Sequence, residues 1–85
     1  VDHEVLVKMY SRRTCHLCEE ARDVIAAEGR RTPLHIEEVF IDGDDRLELA
    51  YGMRVPVVEV DGVERFEYRV DPGELRRLVR PGGSP

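Results

Sequence analysis

The sequence has no apolar run near the roughly 20 residues that a membrane-spanning helix needs. Its first residues, Val1-Asp2-His3-Glu4, lack the basic stretch and apolar stretch of a secretory signal. The expectation is therefore a cytoplasmic chain without a membrane partner. Positive charge is also in deficit, with 13 Lys and Arg against 18 Asp and Glu and a net charge of −5. Phosphate binding needs a clustered positive field, so no nucleic-acid partner is expected. Lys8 is the only lysine. Cysteine is scarce as well: Cys15 and Cys18 are the two present. A disulfide scaffold spreads its cysteines to close long loops, and this pair closes almost none. A structural zinc site takes four ligands. Only the scattered His3, His16 and His35 are available to join the cysteines, so no metal is expected.

What remains is an 85-residue chain, 41% hydrophobic and 36% charged, which reads as one globular domain over residues 1–80 with a disordered tail over 81–85. Glu4 to Tyr10 reads as a central strand, apolar on both faces. Cys15 to Glu28 reads as a helix with Leu17, Ala21, Val24 and Ile25 in one buried stripe. Thr14 is its expected N-cap and Gly29 its left-handed stop. Leu34 to Ile41 reads as a second strand with Leu34, Ile36, Val39 and Ile41 inward. The spacing slips between Ile36 and Val39, as a bulge would cause. Asp42 to Asp45 is a turn into a short helix with Leu47, Ala50 and Tyr51 on one face, closed by Gly52.

Val57 to Val60 and Val63 to Tyr68 are strands joined by Asp61-Gly62, a strong hairpin signal. Asp71-Pro72-Gly73-Glu74 opens a last helix, with Asp71 as N-cap and Glu74 as the reciprocal cap. Leu75, Leu78 and Val79 form its buried face. The order β-α-β-α-β-β-α implies an α/β fold: a four-stranded mixed sheet with helices on both faces. Its first β-α-β unit is expected to be parallel and right-handed.

Cys15-His16-Leu17-Cys18 follows a strand and opens a helix. The thiolate is the nucleophile in disulfide exchange, and an ordinary thiol near pKa ~8.5 is mostly protonated at neutral pH. Free N–H groups and the dipole at a helix N-terminus stabilise the anion. Cys15 is thus the expected exposed nucleophile, and Cys18, one turn further in, the buried resolving thiol. Two inert core cysteines are the bland alternative. His16 either tunes the thiolate or is an exposed helix residue without a role. Arg12, Arg13 and Arg54 either form a positive rim for an anionic substrate or are solvated surface side chains.

The stretches Tyr10 to Cys18, Tyr51 to Val58 and Asp61-Gly62 resemble the glutaredoxin-like family of small thioredoxin-fold proteins, over about Glu4 to Arg80. The resemblance implies a thioredoxin-like fold. It implies a cis Pro56 facing the cysteines, with the free Val55 backbone pairing with an extended substrate. The chain departs from the family at His16 and Leu17, where proline and an aromatic are usual, and at Arg54, where threonine is usual. Tyr68-Arg69-Val70-Asp71 lacks the glycine pair that helps to grip glutathione, although Arg12 and Asp71 match two positions of that grip.

The expected function is a dithiol–disulfide oxidoreductase acting on protein or glutathione mixed disulfides. Cys15 and Cys18 are its catalytic residues. Arg12, Thr14, His16, Leu17, Arg54, Val55, Pro56 and Asp71 are its candidate substrate contacts. A reductase or glutathione is the expected electron donor. No tightly bound cofactor is expected, glutathione being a candidate co-substrate, and nothing demands more than a monomer. The alternatives are a glutathione- and iron–sulfur-binding module with Cys15 as ligand, and a non-catalytic adaptor.

Overall fold

The structure is a computed structural model that describes residues 4–80. The expected disordered tail, residues 81–85, and His3 lie outside the described residues. Seven elements follow in the order β1 (Val5–Ser11), α1 (His16–Gly29), β2 (Leu34–Phe40), α2 (Asp45–Tyr51), β3 (Val57–Val60), β4 (Val63–Glu67) and α3 (Pro72–Val79). The sheet order is β2-β1-β3-β4. β1 pairs with β2 in parallel, and the other two pairings are antiparallel. This is the expected thioredoxin-like mixed sheet.

Alternation along the two central strands divides the core into two layers. Val7 and Met9 of β1, with Val58 and Val60 of β3, pack against Ala21 and Ile25 of α1 and Leu75 and Val79 of α3. On the other face Tyr10, Ile41 and Val57 pack against Leu47 and Tyr51 of α2. Tyr10 and Tyr51 stack with ring centroids 4.0 Å apart. Burial pushes the Tyr51 hydroxyl up to about 12, with the Tyr10 hydroxyl adding to the shift.

The two-layer core explains the slip read in β2. The β1–β2 register is continuous from Val5↔Leu34 to Ser11↔Phe40, without a bulge. Leu34 supports the α1 layer, whereas Val39 and Ile41 belong to the α2 layer. The apolar residues switch faces, as they can where both faces are covered. Ile36 is not inward: it is exposed on this edge strand, with its Cδ1 near Gly29. The irregularity lies between Val58 and Glu59, where Phe66 and Glu64 are the partners and Arg65 is the extra residue.

Three helix-end details also differ from expectation. Gly29 is the last helical residue of α1, and Arg30, in right-handed helical conformation, caps it through its N–H to Ala26, Ala27 and Glu28 carbonyls. A tightened last turn thus replaces the left-handed stop. In α2, Leu47 and Tyr51 face the core but Ala50 is exposed. In α3, Asp71 caps through a 2.7 Å bond from the Glu74 N–H. The Glu74 carboxylate turns to Arg77 instead of returning to the cap. The hairpin forms as expected, with positive φ at Asp61 (49°) and Gly62 (85°), as a two-residue turn between twisted strands requires.

Candidate active site

The motif is carried from the end of β1 to the first turn of α1. The Ile41 N–H bonds the Ser11 carbonyl at 2.9 Å, and the Arg13 N–H bonds Asp42 Oδ1 at 3.0 Å. These contacts anchor the start and the middle of the loop that delivers Cys15. Cys15 is the N-cap of α1, with φ −156° and ψ 109°. Thr14 was the expected cap, but it is exposed and lies one residue outside the helix boundary. Cys15 Sγ takes the capping role, accepting the Cys18 N–H at 3.1 Å. The same hydrogen bond brings an amide dipole onto the reactive atom.

Cys15 and Cys18 form a disulfide with their Cα atoms 5.2 Å apart, inside the ordinary range. Cys15 is half-buried and Cys18 is fully buried. One sulfur is accessible and the other is held one turn deeper. His16, between them, is exposed, with Nε2 2.9 Å from Glu20 Oε2. Leu17 is half-buried and begins a groove of about 320 Å³ between α1 and the β4–α3 connection. Val24, Phe66, Val70 and Pro72 continue its apolar lining, and Asp71 sits at its edge.

The Val55–Pro56 peptide is cis, and Pro56 is buried. Val55 packs against the Tyr10 layer. Tyr68 ties this loop to the end of β4: its N–H bonds the Pro56 carbonyl at 2.9 Å and its hydroxyl bonds the Met53 carbonyl at 3.0 Å. Tyr68 adopts φ 71° there, a left-handed conformation that non-glycine residues seldom take.

Of the three arginines read as a positive rim, Arg12 and Arg54 are committed to carboxylates within the chain. Arg12 makes two 2.7 Å bonds to the Glu48 carboxylate and a 3.0 Å bond to the Gly52 carbonyl. Arg54 bonds Glu64 at 2.9 Å, Glu67 at 3.1 Å and the Ala50 carbonyl at 3.1 Å. The Glu64 bond, joined by Glu67, holds the Arg54 guanidinium charged further above its ordinary range, and Arg54 in turn holds the Glu64 carboxyl down. Both cations thus sit at the C-terminal end of α2, where free carbonyls favour positive charge. Arg13 lies over the Phe40 ring, 4.6 Å from its centroid. The Asp71 carboxylate is occupied as the α3 cap.

One polar cluster had no role in the sequence reading. Ser11 is fully buried, and its Oγ donates to Glu38 Oε2 at 2.6 Å. Arg22 grips the same carboxylate through Nε at 2.9 Å and Nη2 at 2.5 Å. The Arg22 bonds, with Ser11, pull the Glu38 carboxyl below its usual range. The signal was positional: Ser11 shares its strand face with Val7 and Met9, and Arg22 lies one turn beyond Cys18. Among the described residues no group of three or more His, Cys, Asp or Glu side chains is arranged to hold a metal.

The family described as Glutaredoxin-like domain (DUF836) matches residues 6–80. A structural-genomics target protein from X. campestris is 36% identical, covers 93% of this chain and 99% of its own, and superposes with a TM-score of 0.71. A protein from Nitrosomonas europaea is 26% identical, covers 93% of this chain and 95% of its own, and has a TM-score of 0.78. A thioredoxin from Halobacterium salinarum is 23% identical over 95% of this chain and 76% of its own, with a TM-score of 0.64, a likeness of fold. No curated protein matches the chain. With the family matched over residues 6–80, the chain belongs to the glutaredoxin-like family of thioredoxin-fold proteins.

Proposed function

We propose that the chain is a dithiol–disulfide oxidoreductase. The observation that carries this reading is the asymmetry of the pair: Cys15 Sγ caps α1 and receives the Cys18 N–H, while Cys18 is fully buried. The first property favours a thiolate at Cys15. The second keeps Cys18 out of reach until Cys15 has reacted.

In the reductive direction, the Cys15 thiolate attacks one sulfur of a substrate disulfide. The S–S bond breaks, the first substrate thiolate leaves and takes a proton, and a mixed disulfide remains. Cys18, deprotonated, then attacks Cys15 Sγ and displaces the second substrate thiolate, which is protonated in turn. Two electrons have passed from the dithiol to the substrate, and the Cys15–Cys18 disulfide is left. An external thiol donor returns it to the dithiol. No metal enters these steps. The direction of net flow follows the reduction potential relative to the surroundings, and a reducing compartment such as the cytoplasm favours the reductase direction.

The test is the rate of alkylation of the reduced protein by iodoacetamide against pH, with Cys15→Ser and Cys18→Ser controls. The expected result is a Cys15-dependent rate whose midpoint lies well below the ~8.5 of a free thiol. An ordinary midpoint, or an inaccessible Cys15, overturns the reading.

A further inference from the structure

Three observations bear on what the pair acts upon. First, two of the three arginines flanking the motif and Pro56 are neutralised internally, Arg12 by Glu48 and Arg54 by Glu64 and Glu67, and the third, Arg13, lies over Phe40 at the β2 edge, across the sheet from β4. Second, the groove that begins at Leu17 is lined mainly by carbon, from Leu17, Val24, Phe66, Val70 and Pro72. Third, the charges in that lining favour no anion: two carboxylates, Glu20 and Asp71, stand against one arginine, Arg69. Arg69 is itself 3.6 Å from Glu20. Glutathione, with two carboxylates and one ammonium group, finds no uncommitted cation in that lining.

We propose that the substrate is an extended segment of a protein disulfide with an apolar side chain next to its cysteine, and that this side chain occupies the Leu17–Phe66–Pro72 groove. The inference rests on the oxidoreductase reading and names the substrate class for it. A groove of about 320 Å³ lies at the small end of ligand clefts, roughly 300–1,000 Å³. It holds one or two side chains, and the apolar lining rather than the size selects between occupants. Leu17, two residues after Cys15, is the lining residue that joins the groove to the motif. Apolar burial supplies the attraction. The Arg12–Glu48 pair acts against the alternative, because an incoming carboxylate must displace Glu48 from two 2.7 Å bonds.

The experiment uses reduced protein and three mixed disulfides with one chromogenic thiol: a short peptide with leucine beside its cysteine, the same peptide with aspartate there, and glutathione. Release of the chromophore, followed with the reduced protein in excess, gives the second-order rate constant for each. The expected order has the leucine peptide fastest, by roughly 10- to 100-fold over both others. Glu48→Ala, which removes the carboxylate partner of Arg12 and leaves only its Gly52 carbonyl bond, is expected to raise the glutathione rate and leave the leucine peptide unchanged. Val24→Asp is expected to slow the leucine peptide alone, and the peptide series on the native chain stands even where that variant folds poorly. Glutathione as fast as the leucine peptide, or no dependence on the neighbouring residue, overturns the inference and leaves the oxidoreductase reading intact. Release from none of the three overturns that reading, and this inference with it.

Discussion

Glu38→Gln isolates the contribution of one carboxylate that three elements share. Glutamine keeps the shape but removes the charge that Arg22 of α1 and Ser11 of β1 both address. The Glu38 side chain is 22% exposed and that of Arg22 is 40% exposed, so solvent still screens the pair. The loss should exceed the ~0–1 kcal/mol of a surface ion pair. It should fall short of the ~3–5 kcal/mol for breaking a fully buried one. About 1–2 kcal/mol at pH 7 is the working figure, a fall in Tm of about 5–15 °C for a domain of this size.

The pH dependence has a definite sign. The folded-state carboxyl lies below its ordinary value. Its stabilising contribution is therefore complete above that ordinary value and is lost as pH falls through the lowered one. Melting curves of the native chain and the variant should differ at pH 7 and converge as the pH is taken from about 5 towards 2. A change in Tm below ~2 °C at pH 7 would refute the reasoning. So would a difference that stays constant through the acid range.

Cys18→Ser should stop the reaction at the mixed disulfide, seen by mass spectrometry as a substrate adduct on Cys15, whereas Cys15→Ser should yield no adduct. Asp71→Ala removes the acceptor for the Glu74 N–H and should cost about 1 kcal/mol in urea unfolding, with Asp71→Asn restoring most of it. Ile25→Ala empties a fully buried site in the α1 layer and should cost ~2–5 kcal/mol by the same measurement. Because Tyr51 ionises only near 12 when folded, an ultraviolet titration of native chain against Tyr51→Phe should place its tyrosinate signal there. Unfolding of the tyrosine exposes it near ~10, so stability should fall as pH rises between these values, less so in the variant.

Much of the fold was legible because its signals are local. The Asp61-Gly62 turn, the Asp71-Pro72 helix start and the doubly apolar β1 each carry their own conformational reason. The cysteine motif was legible from its place between a strand and a helix. The face taken by β2 was harder to read, since period-2 reasoning assumes one buried face and this sheet has two. The α1 cap was harder too, because Thr14 and Cys15 are adjacent acceptors and only the path of the loop decides between them. The commitments of Arg12 and Arg54 lie beyond sequence reading: their partners Glu48 and Glu64 are 36 and 10 residues away. A basic residue beside a motif looks the same whether its charge is free or spent. The Ser11–Glu38–Arg22 cluster was hidden for the same reason, and Ser11 lies one residue past the strand as read, Glu4 to Tyr10.

The capping sulfur binds conformation and chemistry into one equilibrium. Cys15 Sγ is the acceptor that ends α1 and the atom that changes oxidation state. Whatever free energy the helix gives to the thiolate, the thiolate must return to the helix, since linkage is reciprocal. A thiolate is a stronger acceptor than a disulfide sulfur. The Cys18 amide should therefore exchange with solvent more slowly in the dithiol form above the Cys15 pKa than in the disulfide form. The first turn of α1 is in that sense a gauge of the redox state of the chain, readable from a single backbone proton.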